Sequence, residues 1–223
     1  GQKAKKPSAV EQSFVVALDE CYQLYKKHGA RSNKKLVPPH TWLHNQAATR
    51  LPKSHVFSMA EGRERTIDGA YKKRVDVSVY DAQDTPKAVI GFKFVMSNYA
   101  QNATNYFEGM QGETANLQAK GIPHFQVVVL QLTIPYYAQA APGIPVREET
   151  LRARHIDRYI RLANGHPTVN RPHKLALVVV KVVDRHVVLA DATEIPDIDA
   201  SGIRALRNEL SIGSLLAGVS ALR

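Results

Sequence analysis

The chain has 223 residues, of which 44% are hydrophobic, and this length and composition are typical of a globular domain with a sizeable core. It carries 30 lysine and arginine residues against 20 acidic residues, and the net charge of +10 favours a polyanionic partner. The single cysteine, Cys21, excludes an internal disulfide and a cysteine-cluster zinc site. No apolar run reaches the ~18 residues of a membrane-spanning helix, so we expect no membrane partner.

The first third of the chain predicts two helices and a strand. We expect one domain over residues 1–223, with the lysine-rich and proline-containing residues 1–7 frayed. Apolar residues at helical spacing predict a helix from about Ser8 to His28 and a shorter one from about Pro39 to Thr49. The segment from His55 to Ala60 has the composition of a strand.

Two histidines in the second helix have the spacing of a pair of metal ligands. His40 and His44 are separated by four residues, which places them on one helical face, as two zinc ligands require. No glutamate follows His40 directly, and no third ligand is evident nearby. The pattern therefore predicts an ordinary surface pair.

A charged pair on two neighbouring strand patterns is the most informative feature of the sequence. Residues Lys73–Val79 and Val89–Phe94 both alternate apolar and polar side chains, and the turn-rich segment Asp81–Pro86 joins them. The alternation places Asp76 and Lys93 together on the face opposite the apolar set, within about 4–7 Å of each other. Such a pair is either a cross-strand ion pair or the centre of a metal-assisted reaction on a phosphodiester.

A helix and a further strand follow the charged pair. Helical spacing extends from about Tyr99 to Ala119, and residues His124–Leu130 form an apolar strand pattern. Asn98 lies directly before this helix, and Asn102 belongs to a stripe of amide and small residues beside its apolar face. That stripe faces a catalytic cleft, a second subunit or a tight loop.

The next segment combines a long loop with a basic helix. Residues 133–146 contain three prolines and the pair Tyr136-Tyr137, which predicts a loop whose tyrosines contact nucleic acid or anchor in the core. A helix is predicted from about Arg147 to Asn164. One stripe of it carries four arginines that either contact phosphates or form a solvated exterior face: Arg147, Arg154, Arg158 and Arg161.

The remaining residues close the domain. Valine-rich patterns predict strands at Lys174–Asp184 and His186–Ala190, with Asp184-Arg185 in the turn between them. Two terminal helices are expected at Asp199–Leu210 and Ser211–Leu222.

The order of these elements resembles the PD-(D/E)XK restriction-endonuclease-like superfamily. Its signature is an aspartate on one strand, Glu-x-Lys on the next, then a helix and a further strand. Asp76 matches the aspartate and Lys93 the lysine, and the resemblance covers about residues 70–135. It implies an α/β fold, with a central mixed sheet flanked by helices, and a Mg²⁺-dependent deoxyribonuclease in which both residues are catalytic.

The sequence departs from the signature at the glutamate, because residue 91 is glycine. Asp76 and the Phe92 carbonyl then need another acid to complete the ligands of Mg²⁺. Some members of the superfamily move this acid to the following helix, where Glu108 and Glu113 are the candidates. Glu108 has the better spacing from Lys93, whereas Glu113 borders the apolar face that packs on the sheet, and this favours Glu113.

The resemblance implies a Type II restriction endonuclease of a prokaryotic restriction-modification system, acting in the cytoplasm. A palindromic duplex target implies a homodimer, and the expected contacts to double-stranded DNA are Arg147, Arg154, Arg158, Arg161, Asn98 and Asn102. The alternative is a DNA-binding protein on the same fold that has lost cleavage, which Gly91 supports. A domain that binds structured RNA is a third hypothesis, which the low aromatic content of 7% disfavours.

Overall fold

The computed structural model describes residues 2–61, 63–140 and 143–222. Within those ranges the strands are β1 (His55–Ser58), β2 (Thr66–Asp68), β3 (Lys72–Arg74), β4 (Val77–Tyr80), β5 (Pro86–Phe94), β6 (His124–Gln131), β7 (Thr133–Tyr137), β8 (Pro145–Thr150), β9 (Lys174–Val183) and β10 (His186–Leu189). The helices are α1 (Ala9–His28), α2 (Val37–Arg50), α3 (Tyr99–Gln118), α4 (Ala153–Asn164), α5 (Ala200–Arg207) and α6 (Ile212–Ser220). The existence of both opening helices, both closing strands and both terminal helices is therefore confirmed.

A six-stranded mixed sheet forms the centre of the molecule, in the order β1-β4-β5-β6-β9-β10. β1, β4 and β5 run antiparallel, β5, β6 and β9 run parallel, and β10 returns antiparallel along β9. Helix α3 connects the parallel strands β5 and β6, as a parallel pair requires. Two hairpins, β2–β3 and β7–β8, lie outside this sheet.

Helices cover both faces of the sheet, because β5, β6 and β9 are apolar on both sides. On one face α1, α2 and α6 pack against alternate strand residues, including Ile90 and Val127. On the other face α3, α4 and α5 pack against the intervening residues, including Val128 and Leu177. The predicted α/β class, with a central mixed sheet flanked by helices, is confirmed at this level.

The predicted strand Lys73–Val79 is wrong in its middle. The chain forms β3 and β4 separately, with Val75 and Asp76 in the break between them. The Val75 N–H donates to the Arg65 carbonyl at 3.1 Å, so this part of the chain pairs with the β2 side instead of continuing along β5.

The predicted loop at 133–146 and the predicted helix start at Arg147 are also wrong. Thr133–Tyr137 and Pro145–Thr150 pair as the antiparallel hairpin β7–β8, in which Tyr136 faces Arg147. Helix α4 begins only at Ala153, after the buried Leu151. Arg147 is therefore on a strand and does not share a helical face with Arg154, Arg158 and Arg161.

None of the helices in the described ranges is long and apolar enough to cross a membrane. The free Cys21 is buried on α1, as its position on the apolar face predicts, and burial raises the pKa of its thiol to about 12.

Candidate functional site

Asp76 is held at the open end of β4 by the backbone of the neighbouring strand. The β4–β5 register pairs Val77 with Ile90, and its extension would pair Phe92 with Val75. Since Val75 bonds elsewhere, the Phe92 N–H donates instead to Asp76 Oδ2, at 2.8 Å. The N–H and C=O of one strand residue point to the same side, so the Phe92 carbonyl is also directed towards this edge.

The charge on Asp76 is costly to the fold. Burial raises the pKa of its carboxyl group, against the opposing effects of the Phe92 N–H and the positive charges of Lys73 and Lys93. A carboxylate kept in such surroundings favours a bound cation, since a cation would restore the interactions lost from water.

Lys93, on β5, forms no ion pair with Asp76, although the charges of the two side chains interact. Its Nζ lies 4.6 Å from the centre of the Tyr106 ring on α3. Partial desolvation and the nearby Lys35 charge lower the pKa of Lys93, while Asp76 raises it. A simple cross-strand ion pair is therefore absent, and the ammonium group is available to a ligand.

Helix α3 brings Glu113, and not Glu108, into the surroundings of Asp76. Glu113 Oε2 accepts a hydrogen bond from Lys73 Nζ at 3.2 Å, and its side chain is only 21% exposed. Burial raises the pKa of Glu113, Lys73 lowers it, and the negative charge of Asp76 raises it. Glu108 is exposed on the outer side of the helix. Of the two acids on α3, the one favoured by its helical face, Glu113, therefore lies near Asp76, whereas the one favoured by its spacing from Lys93, Glu108, does not.

Gly91 faces a compact polar cluster that the sequence did not reveal. A Cβ atom at Gly91 would lie 2.4 Å from Gln126 Oε1 and 2.9 Å from His124 Nε2. Gln126 Nε2 donates to the Val127 carbonyl at 3.0 Å, which fixes the amide, and His124 Nδ1 is 2.7 Å from Thr114 Oγ1. The space that a glutamate at 91 would occupy is thus filled from β6.

His40 is buried beside Asp76, so the predicted surface location of the His40 and His44 pair is wrong. His40 is 1% exposed and His44 is 7% exposed. Within the described residues neither ring nitrogen of His40 has a hydrogen-bond partner, and His40 Nε2 is 4.0 Å from Asp76 Oδ1. Burial lowers the pKa of His40 to about 4, although Glu64 raises it, so the ring is neutral at pH 7.

One ligand atom from each of His40, Glu64 and Asp76 lies within 4.8 Å of the other two. The helical spacing of α2 could have predicted from the sequence that His40 is buried. His40 and His44 share the i, i+3, i+4, i+7 stripe with Leu43 and Ala47, and that stripe is the buried face of α2.

The predicted DNA contacts divide into two groups. Arg154, Arg158 and Arg161 follow one face of α4, and the Arg158 guanidinium lies 5.7 Å from the ring centre of Phe107 on α3. Arg147 instead lies over the Tyr136 ring at 4.0 Å, within the β7–β8 hairpin.

Asn98 and Asn102 use their amides within the protein. Asn98 Nδ2 donates to the Tyr137 carbonyl at 2.9 Å, and Asn98 Oδ1 accepts from the Tyr137 N–H at 2.8 Å. Asn102 Nδ2 donates to the Asn98 carbonyl at 3.0 Å. The Asn98 amide therefore holds the hairpin against the start of α3, and the Asn102 amide bonds within the first turn of that helix.

No known protein family, curated protein or solved structure matches the chain. The arrangement of Asp76, Phe92, Lys93 and Glu113, with His40 beside it, is therefore the basis on which a function is inferred.

Gly91→Ala should destabilise the protein, because its Cβ would overlap the Gln126 amide. We expect a loss of about 1–3 kcal/mol in the free energy of unfolding, measured by urea denaturation. In a Gln126→Ala background the same change should cost clearly less. Gly109→Ala is the control, since nothing lies within 4 Å of a Cβ there and α3 should gain stability. Equal costs of Gly91→Ala in both backgrounds would contradict the overlap.

Asp76→Asn should stabilise the protein at pH 7 in EDTA. A raised folded-state pKa means that stability is greatest below the unfolded pKa and is lost as pH rises through the folded pKa. Asparagine removes that loss, so the gain in melting temperature should shrink as pH falls towards the ordinary value of 3.8.

Asp81→Asn is the control of opposite sign for this pH series. The Thr85 and Gln83 N–H groups lower the pKa of Asp81, so its replacement should destabilise the protein at neutral pH. A lower melting temperature of Asp76→Asn at every pH would show that the Asp76 charge stabilises the fold.

Proposed function

We propose that this protein is a nuclease of the PD-(D/E)XK type that hydrolyses double-stranded DNA with the help of Mg²⁺, as a Type II restriction endonuclease does. The observation that carries the proposal is the placement of Asp76 directly before β4, where the Phe92 N–H holds its carboxylate and its charge interacts with those of Lys93 and Glu113. In support, β4, β5, α3 and β6 follow one another in the order of the superfamily, and the three strands are neighbours in the sheet.

The residues present fit a hard divalent cation. Asp76 supplies a carboxylate oxygen, the Phe92 carbonyl points to the same edge, and Glu113 offers a second carboxylate in place of the acid absent at Gly91. Glu113 must exchange its bond to Lys73 for the cation. When bound, Mg²⁺ polarises a phosphoryl oxygen and lowers the pKa of coordinated water.

The protein side chains supply the remaining chemistry. Lys93 donates hydrogen bonds towards the scissile phosphate and offsets the charge that develops on it. The Phe92 N–H holds the Asp76 carboxylate in place, so this ligand needs little reorganisation. Lys73, released from Glu113, adds a second positive charge at the same edge.

DNA contact is proposed for the basic face of α4. Arg154, Arg158 and Arg161 are on that face, and Phe107, beneath Arg158, is adjacent in sequence to Tyr106, beneath Lys93. A duplex on this surface would pass from the arginines to the candidate site. We propose a homodimer, since two such sites related by a two-fold axis would cut both strands of a palindrome.

A non-cleaving DNA-binding protein is the second candidate function. The filled space beside Gly91 favours it, because Gln126 presents a neutral amide where the superfamily has a carboxylate. Both candidate functions use the basic face of α4 to bind DNA, so an assay for DNA cleavage distinguishes between them.

Incubation of the protein with supercoiled plasmid and Mg²⁺ or Mn²⁺ should give discrete fragments. Lys93→Met and Glu113→Gln should each slow cutting by about 10²-fold or more, and Asp76→Asn should abolish it. Glu108→Gln is the matched control on the exposed side of α3 and should cut at the parent rate.

DNA binding in EDTA, measured by gel shift, completes this experiment. Asp76→Asn should bind as the parent does, while Arg154→Ala should bind more weakly, and this deficit should narrow as salt rises because the variant makes fewer phosphate contacts. A parent that binds DNA but never cuts it would favour the non-cleaving protein. Loss of activity in Glu108→Gln, with Glu113→Gln active, would overturn the assignment of Glu113.

A further inference from the structure

We propose that His40, Glu64 and Asp76 form a divalent-cation site with one nitrogen and two oxygen ligands, which binds a transition-metal ion such as Mn²⁺ in preference to Mg²⁺. This site lies on the α2 side of Asp76, whereas Glu113 approaches from α3. It shares Asp76 with the proposed nuclease site, but it does not depend on DNA cleavage.

The unsatisfied imidazole of His40 is the main reason for this proposal. A buried polar group without a partner costs free energy, and a bound ion is one of the ways in which proteins satisfy such a group. His40 packs edge-on against the Phe92 ring, with 5.8 Å between ring centres, so phenylalanine would suit this apolar wall better. The nitrogen nearest to a carboxylate, Nε2, faces Asp76 Oδ1 across 4.0 Å.

The distances suit a cation after a small contraction. Bonds of about 2.0–2.2 Å place neighbouring ligand atoms about 3 Å apart. The three ligand atoms already lie within 4.8 Å of one another, so each must move by on the order of 1 Å.

Glu64 can make that movement because it is weakly held. Its carboxylate lies 3.8 Å from Arg74 Nε, and the Arg74 side chain is 73% exposed, so this pair contributes little. The side chain of Glu64 is itself 23% exposed and adjoins the break between β3 and β4 that contains Asp76.

The ligand types determine the preference. Mg²⁺ is bound by oxygen ligands, whereas imidazole suits first-row transition metals. Removal of His40 should therefore weaken Mn²⁺ binding much more than Mg²⁺ binding. Removal of Asp76 should weaken both.

Isothermal titration of EDTA-treated and dialysed protein with Mn²⁺ and with Mg²⁺ tests the proposal. The parent should bind Mn²⁺ at least about 10-fold more tightly than Mg²⁺, and His40→Phe should reduce this ratio to near one. Asp76→Asn should lose both ions. His44→Ala is the matched control: it removes a buried histidine from the same stripe, whose Nδ1 is 2.9 Å from Ser58 Oγ, and should leave the ratio unchanged.

The stability of His40→Phe keeps this test independent of folding defects. With its unsatisfied nitrogens removed, His40→Phe should melt at or above the parent temperature in EDTA, and Mn²⁺ should raise the melting temperature of the parent more than that of the variant. An unchanged Mn²⁺ to Mg²⁺ ratio in folded His40→Phe would overturn the proposal, as would a parent without a preference.

The outcomes for this site and for the nuclease can be separated. DNA cleavage that needs Asp76, together with a Mn²⁺ to Mg²⁺ affinity ratio that is unchanged in His40→Phe, would support the nuclease and contradict the proposed cation preference. An affinity ratio that depends on His40, in a protein that never cuts DNA, would support the cation site and contradict the nuclease.

Discussion

The hydrogen bond from the Phe92 N–H to the Asp76 carboxylate is the interaction on which the candidate site depends. It exists because β4 starts two residues too late to give Phe92 its regular partner, while Val75 turns away to the Arg65 carbonyl. The carboxylate takes the place of a strand carbonyl and is fixed at the start of β4. His40 on α2 lies 4.0 Å from Asp76, and the charges of Lys93 on β5 and Glu113 on α3 interact with that of Asp76.

Asp76 and several groups around it lower the stability of the folded protein. Burial disfavours the charges on Asp76 and Glu113, and His40 and His124 each have a buried nitrogen without a partner in the described part of the chain. Most other buried side chains are apolar, although a few buried polar atoms elsewhere, such as Ser78 Oγ and Asn116 Nδ2, also have no hydrogen-bond partner among the described residues. Departures of this kind concentrate at functional sites, where they are retained for binding or catalysis.

The sequence predicted those elements whose signals are local. Alternation in β5 and helical spacing in α1 and α3 each depend on a few neighbouring residues, and the structure has these elements. Helical facing also predicted that Glu113 lies on the sheet side of α3 and Glu108 on its exposed side, because a helical angle is fixed by the sequence.

Long-range features were not predictable from the sequence. The break at Val75 and Asp76 follows from pairing with Arg65, and the β7–β8 hairpin follows from pairing between residues at least eight positions apart. Charged residues at 147–149 match a helix pattern as well as a strand. Gln126 and His124 fill the space beside Gly91 only through the parallel register of β5 and β6.

The central claim is that Asp76 is a cation ligand, and a crystal soaked in Mn²⁺ tests it most directly. Anomalous scattering locates the ion without any assumption about activity. We predict an anomalous peak about 2.2 Å from a carboxylate oxygen of Asp76. Bound Mn²⁺ found only elsewhere, with Asp76 still bonded to the Phe92 N–H and no peak beside it, would contradict the account.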